Sequence, residues 1–266
     1  MGDPVSALWA DVEAIRARNP LVHNITNYVV MNTTANALLA IGASPVMAHA
    51  EEEVEAMVDL AAALVVNIGT LSPHWVRAME RAMRRAAERS IPIVLDPVGA
   101  GATRYRTETV RALLRVATPA VIRGNASEIA ALAGAMVRTR GVDSTIASEE
   151  ALDLARALSG ELDCVVCVSG QTDYVAQGDR IWTVRNGHPL MARVTGMGCT
   201  ATALCGAFLA VNPDPGQATA HAMAVMGIAG ELAAERAEGP GSLQMRFLDA
   251  LYRLSQSDVR ARLCME

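Results

Sequence analysis

The stretch RVTGMGCTATALCGAFLAV, residues 193–211, decides how the chain is read. Taken as a pattern, Gly196-Met197-Gly198-Cys199-Thr200-Ala201 fits the G-x-G-x-x-[GA] dinucleotide fingerprint. That fingerprint should open a Rossmann half, with a strand before it and a further βαβ unit after it. After Cys199 no further strand is expected: one helix to Val211, one from Pro215 to Ala237, one from Ser242 to Ser255. The nearest acid at useful spacing, Asp214, stands in the turn Asn212-Pro213-Asp214-Pro215. The dinucleotide reading therefore fails. A glycine-rich turn running into a helix leaves two readings: an anion hole, because helix N-termini present unpaired N–H groups and partial positive charge, or close helix packing, which Gly and Ala also permit.

Upstream of this turn, short apolar runs alternate with helical stretches. Strands are expected at 45–47, 64–68, 91–95, 120–122 and 164–168, and helices at 33–41, 51–61, 73–89, 107–116, 126–133 and 149–158. The first residues, MGDPVSALWADVEAIRARNP, read as an amphipathic helix. Strands separated by helices imply βαβ units and a mostly parallel sheet. The strands lack polar alternation, as expected where helices cover both faces. Asp173–Gln177 and Arg180–Val184 flank Gly178-Asp179, a hairpin signal, so an antiparallel edge is expected. Leu190–Val194 reads as one more strand. The expectation is one three-layer, doubly wound α/β domain spanning residues 1–266.

Composition narrows the function. Hydrophobic residues make up 52 % of the 266 and aromatics only 3 %, so the core must come from Ala, Val, Leu, Ile and Met. A net charge of −5 without a basic patch argues against nucleic acid. The longest apolar run, Ala201–Val211, is too short for a membrane span, and a cytoplasmic location is expected. Cys164 and Cys167 form a C-x-x-C inside an expected strand, where residues three apart face opposite ways and cannot share a metal.

The chemistry gathers at the ends of the expected strands. After 91–95 comes Asp96-Pro97-Val98-Gly99-Ala100-Gly101; after 120–122, Arg123-Gly124-Asn125-Ala126-Ser127-Glu128; after 164–168, Ser169-Gly170-Gln171-Thr172-Asp173. In a doubly wound sheet, ligands bind beyond the carboxyl ends of the strands. A cation, two carboxylates, a hydroxyl and an anion hole at one sheet edge are the parts that phosphoryl transfer needs. Singly, each has a plainer reading: Met47 as core filler, Asp96 as a turn residue, Glu128 as a helix acid. Their joint position carries the argument.

Asn125-Ala126-Ser127-Glu128 resembles the N-x-x-E motif of the ribokinase-like fold, and Gly196-Met197-Gly198-Cys199 resembles its G-x-G-D anion hole with Cys in place of Asp. His23-Asn24-Ile25-Thr26-Asn27-Tyr28-Val29-Val30, Asn32-Thr33-Thr34-Ala35-Asn36, Gly42-Ala43-Ser44-Pro45-Val46-Met47 and Leu95-Asp96-Pro97-Val98-Gly99-Ala100 resemble hydroxyethylthiazole kinases, from about Asn19 to Ala237. The resemblance implies phosphorylation of 4-methyl-5-(2-hydroxyethyl)thiazole by ATP and Mg²⁺ in thiamin biosynthesis and salvage, by a homotrimer with active sites at subunit interfaces. It implies substrate contacts at Met47 and Gly196, with Asn24 and Gly69 nearby, ATP contacts at Arg123 and Ser169, and Mg²⁺ at Asp96 and Glu128. Cys199 takes the catalytic position, with Gly196 and Gly198 in the anion hole. Ser169 stands where Thr is commoner, and Thr200-Ala201 follows Cys199 where Leu-Leu is usual. A helix N-terminus lowers a thiol's pKa, so Cys199 is expected to reach thiolate readily.

Overall fold

A computed structural model describes residues 3–136 and 148–266. Eight strands form one sheet in the order β2-β1-β3-β4-β5-β6-β7-β8. They are β1 (Leu21–Ile25), β2 (Ser44–Val46), β3 (Ala63–Asn67), β4 (Ile93–Asp96), β5 (Val121–Asn125), β6 (Val165–Ser169), β7 (Asp173–Gln177) and β8 (Arg180–Val184). All pairings from β2 to β6 are parallel, and β6–β7–β8 are antiparallel.

Helices cover both faces, so the strands are buried on each side. One face carries α1 (Pro4–Arg18), α2 (Met31–Ile41), α8 (Met197–Leu209), α9 (Pro215–Ala234), α10 (Pro240–Arg253) and α11 (Gln256–Arg262). The other carries α3 (Val54–Leu60), α4 (Pro73–Glu88), α5 (Arg104–Val116), α6 (Ala126–Met136) and α7 (Ser148–Leu162). The expected three-layer α/β architecture is the observed one. Cys164 and Cys167 fall in the cores on opposite sides of the sheet.

Scarcity of aromatics shapes the packing. Helix α8 is buried along nearly its whole length, and Gly206 lets it lie flat on the sheet: a Cβ there would come 2.8 Å from Val65. Both phenylalanines, Phe208 and Phe247, are buried in this layer.

Three local expectations need correction. Leu190–Val194 is no strand; a 3₁₀ turn covers Pro189–Arg193, with Pro189 starting it and His188 Nδ1 accepting from the Leu190 N–H. Leu21–Ile25 is a strand despite its two polar residues. The strand expected from Ile91 begins at Ile93, because Pro92 lacks the N–H that a ladder uses. On the far edge the C-terminal residues pair with β8, Thr183 and Glu266 exchanging two backbone hydrogen bonds, which covers an otherwise open edge.

Candidate active site

Residues two apart on a strand share a face, and parallel register partners stand side by side. On the α8 side of the sheet this places Asn67 (β3) beside Asp96 (β4), and Ser169 (β6) beside Asn125 (β5). Arg123 shares that face with Val121, which packs in the α8-side core. The result is a row of polar side chains at the carboxyl ends of the strands, above an apolar interior. The N-terminus of α8 points at this row. Gly196 caps the helix at φ +84° without a capping side chain, and the first intrahelical bond runs from the Thr200 N–H to the Gly196 carbonyl. The preceding N–H groups of the turn are left to a ligand. A Cβ at Gly196 would lie 2.6 Å from Val30, and one at Gly198 would lie 2.8 Å from Arg123 Nη1. Both glycines are required by close approach.

Asp96 is buried, and its Oδ2 accepts from Asn67 Nδ2 (2.8 Å) and Thr202 Oγ1 (2.7 Å). Burial pushes its carboxyl up to about 6; the Arg123 charge opposes that push and the Glu128 charge adds to it. Glu128 Oε1 accepts from the Gly99 N–H and Oε2 from the Asn125 N–H, both at 2.8 Å. Its carboxylate thus ties the loop after β4 to the end of β5, and each oxygen keeps a free lone pair. No group of three His, Cys, Asp or Glu side chains that could cage a metal occurs among the described residues. Two neighbouring acids, one paired to no cation of its own beyond Arg123, suit a divalent cation held through water and phosphate oxygens, the usual habit of Mg²⁺.

Cys199 Sγ lies 3.4 Å from Asn27 Nδ2. Burial raises its thiol above the ordinary range and the Asp96 charge raises it further, against the Asn67 and Asn27 amides and Arg123. The expectation of a lowered thiol is therefore corrected: burial, with the Asp96 charge, sets the direction of the shift. Arg123 donates to Ser169 Oγ, and both line a cavity of about 810 Å³ with Gly198, Asp173, Asn186, and the methionines 191, 197, 223 and 226. That volume suits a nucleotide-sized ligand.

The remaining expected residues divide. Gly69 belongs to the site: its N–H donates to Asn67 Oδ1, and a Cβ there would meet Asn27 Nδ2 at 2.6 Å. Asn24 is buried on β1, its Nδ2 donating to the Val22 carbonyl and its Oδ1 unpartnered. Met47 follows edge strand β2, half-buried and outside the large cavity. Asn27, Asn67 and Thr202 went unmarked in the sequence. Only Asn67 carried a signal, as a polar residue at the last position of apolar strand β3; Asn27 lies in the loop after β1 and Thr202 on α8.

A family profile for the hydroxyethylthiazole kinase family matches residues 12–257. A curated hydroxyethylthiazole kinase of Syntrophus aciditrophicus is 64 % identical over 256 residues, covering 96 % of this chain and 95 % of its own. The solved hydroxyethylthiazole kinase protein of Pyrococcus horikoshii superposes with a TM-score of 0.92 at 48 % identity, covering 98 % of both chains. A ribokinase-like superfamily protein of Enterococcus faecalis shares the fold at a TM-score of 0.62 and 14 % identity, covering 89 % of this chain and 87 % of its own. With its sheet order, its polar row and these relatives, the chain belongs to the hydroxyethylthiazole kinase family, on a ribokinase-like fold.

Proposed function

We infer that this protein transfers the γ-phosphoryl group of ATP to the hydroxyl of 4-methyl-5-(2-hydroxyethyl)thiazole. Family membership supplies the reaction, and one observation carries it to the residues: the uncapped N-terminus of α8 opens between Arg123 and Cys199, at the mouth of the large cavity.

In this reading ATP lies in the cavity with its phosphates toward Arg123, Ser169 and Gly198. Arg123 neutralises phosphate charge, and Ser169 orients its guanidinium. The transition state of phosphoryl transfer is loose, so positioning and charge stabilisation dominate. Backbone N–H groups of residues 197–199 stabilise charge on the transferring group. Cys199 sits at the thiazole hydroxyl and orients it, and late in the transfer the hydroxyl proton passes to an oxygen of the transferring phosphoryl group. Met47, Asn24, Gly69 and Gly196 are assigned to the thiazole side. Asp96 and Glu128 would hold Mg²⁺, which would supply neutralisation of phosphate charge.

The proposal extends to one kinase domain over residues 1–266, in a cytoplasmic homotrimer with sites at subunit interfaces. Tyr28 and Val29, next in sequence to Asn27, are 64 % and 62 % exposed, which suits coverage by a partner subunit. Light scattering tests the trimer. The reaction is tested by following ATP consumption and thiazole phosphate by mass spectrometry, with hydroxyethylthiazole present and absent. Thiazole-dependent product is expected. Turnover of a pyrimidine alcohol in preference would overturn the substrate assignment.

A further inference from the structure

We propose that Asn67 is a positioning residue for this reaction, its amide fixing Asp96 and, through Asn27, Cys199 in a single ring of side chains around the reacting groups. The inference rests on the reaction assigned above and names residues outside it.

The ring is continuous. Asn67 Nδ2 donates to Asp96 Oδ2 at 2.8 Å. Asn67 Oδ1 accepts from Asn27 Nδ2 at 2.9 Å and from the Gly69 N–H at 2.9 Å. Asn27 Nδ2 lies 3.4 Å from Cys199 Sγ. One helical turn beyond Cys199, Thr202 Oγ1 returns to Asp96 Oδ2 at 2.7 Å. Four elements meet here: β3, β4, α8 and the loop after β1.

The orientation of the central amide is forced. The Gly69 N–H can only donate, so Oδ1 of Asn67 must face it, and Nδ2 must then face Asp96. Asn27 is directed in turn, because its amide nitrogen meets an oxygen on one side and sulfur on the other. Asn67 and Asn27 are both buried, so each bond lost exposes an unpaired polar group to a dry interior. No other residue type does the same work at position 67. Aspartate would lack the donor and set a carboxylate against Asp96. Leucine would leave the Gly69 N–H, the Asn27 amide and one Asp96 contact unmet. Gly69 completes the arrangement by leaving room for Asn27.

Asn67→Ala should lower kcat on the order of 10- to 100-fold, the usual loss when a group that orients an active-site ligand is removed. The KM values for ATP and thiazole should move less than about 3-fold, since Asn67 itself is assigned no contact with either. A second pair guards against simple unfolding: Thr202→Val should lower kcat and Thr202→Ser should restore it. Combined, Asn67→Ala and Thr202→Val should cost less than the product of the single losses, because both act through Asp96. A crystal structure of Asn67→Ala should show Asp96 and Asn27 rotated within an unchanged sheet. Those side chains unmoved, or single losses that simply multiply, would overturn the proposal. If the unaltered enzyme fails to phosphorylate the thiazole, the reaction assignment falls instead, and the crystallographic comparison alone decides the placing of Asn67.

Discussion

Gly198 and Arg123 are in contact: a Cβ on Gly198 would lie 2.8 Å from Arg123 Nη1, and 3.4 Å from its Nη2. Glycine is needed at the start of α8 because a guanidinium lies against it. Gly198→Ala should therefore push Arg123 off its place beside Ser169. The KM for ATP is expected to rise on the order of 10-fold, about 1.4 kcal/mol of binding. An unchanged KM for ATP would show that Arg123 adjusts without cost, or that it does not meet the phosphates.

Glu128 joins two loops through the N–H groups of Gly99 and Asn125. Glutamine keeps one acceptor and turns an NH₂ toward the other N–H. Glu128→Gln should lose about 1–3 kcal/mol of stability, and it should raise the Mg²⁺ concentration needed for half-maximal rate. Urea unfolding and a magnesium titration separate these effects. A normal titration in a destabilised variant would confine Glu128 to holding the loops.

Much of this was legible in the sequence because the polar residues sit where apolar runs stop. Asp96, Arg123 and Ser169 end such runs, and the three-layer fold follows from strand and helix alternation. Strand β1 was not legible, since His23 and Asn24 interrupt its apolar character. The structure buries both, with His23 Nε2 bonded to the Ala48 carbonyl and Asn24 Nδ2 to that of Val22. Asn67 was passed over inside the run 64–68, where burial is the reading, because its partners Asp96 and Asn27 lie on neighbouring elements distant in sequence. Helix α11 did carry a sign: Ser255 and Asp258 form a capping box, though the expected helices stopped at Ser255 and assigned no helix to this run. The direction of the Cys199 shift depends on burial and on Asp96, far off in sequence, so the helix N-terminus alone gave the wrong sign.

Cys199 has a thiol raised by burial, so at neutral pH its base strength contributes little early in the transfer. In the proposed reaction its value lies in placing the hydroxyl. Cys199→Ala should lower kcat on the order of 10-fold or more, through lost orientation. Cys199→Asp should retain turnover or exceed it, because a carboxylate oxygen accepts from both Asn27 and the hydroxyl. Full kcat in the alanine variant would remove Cys199 from the chemistry.

Asp173 gives a pH signature separate from Asp96 and Glu128. It is buried at the start of β7, and its Oδ1 accepts from the Gly170 N–H at 2.9 Å. Burial pushes its carboxyl from 3.8 up to about 6, with the Gly170 N–H and the Arg123 charge opposing. Between about pH 4 and 6 the folded protein holds a proton that the unfolded chain has released. The native state then binds more protons, so this group's contribution to stability falls as pH rises through that window. A shift of about two units corresponds to at most about 3 kcal/mol lost by pH 7. Asparagine keeps an acceptor for Gly170 and carries no charge to bury. Relative to the unaltered protein, Asp173→Asn should gain stability between pH 4.5 and 7.5, by about 1–3 kcal/mol. Urea denaturation at the two pH values reads the gain directly. The same difference at both would mean that Asp173 ionises as freely in the folded chain as in the unfolded one.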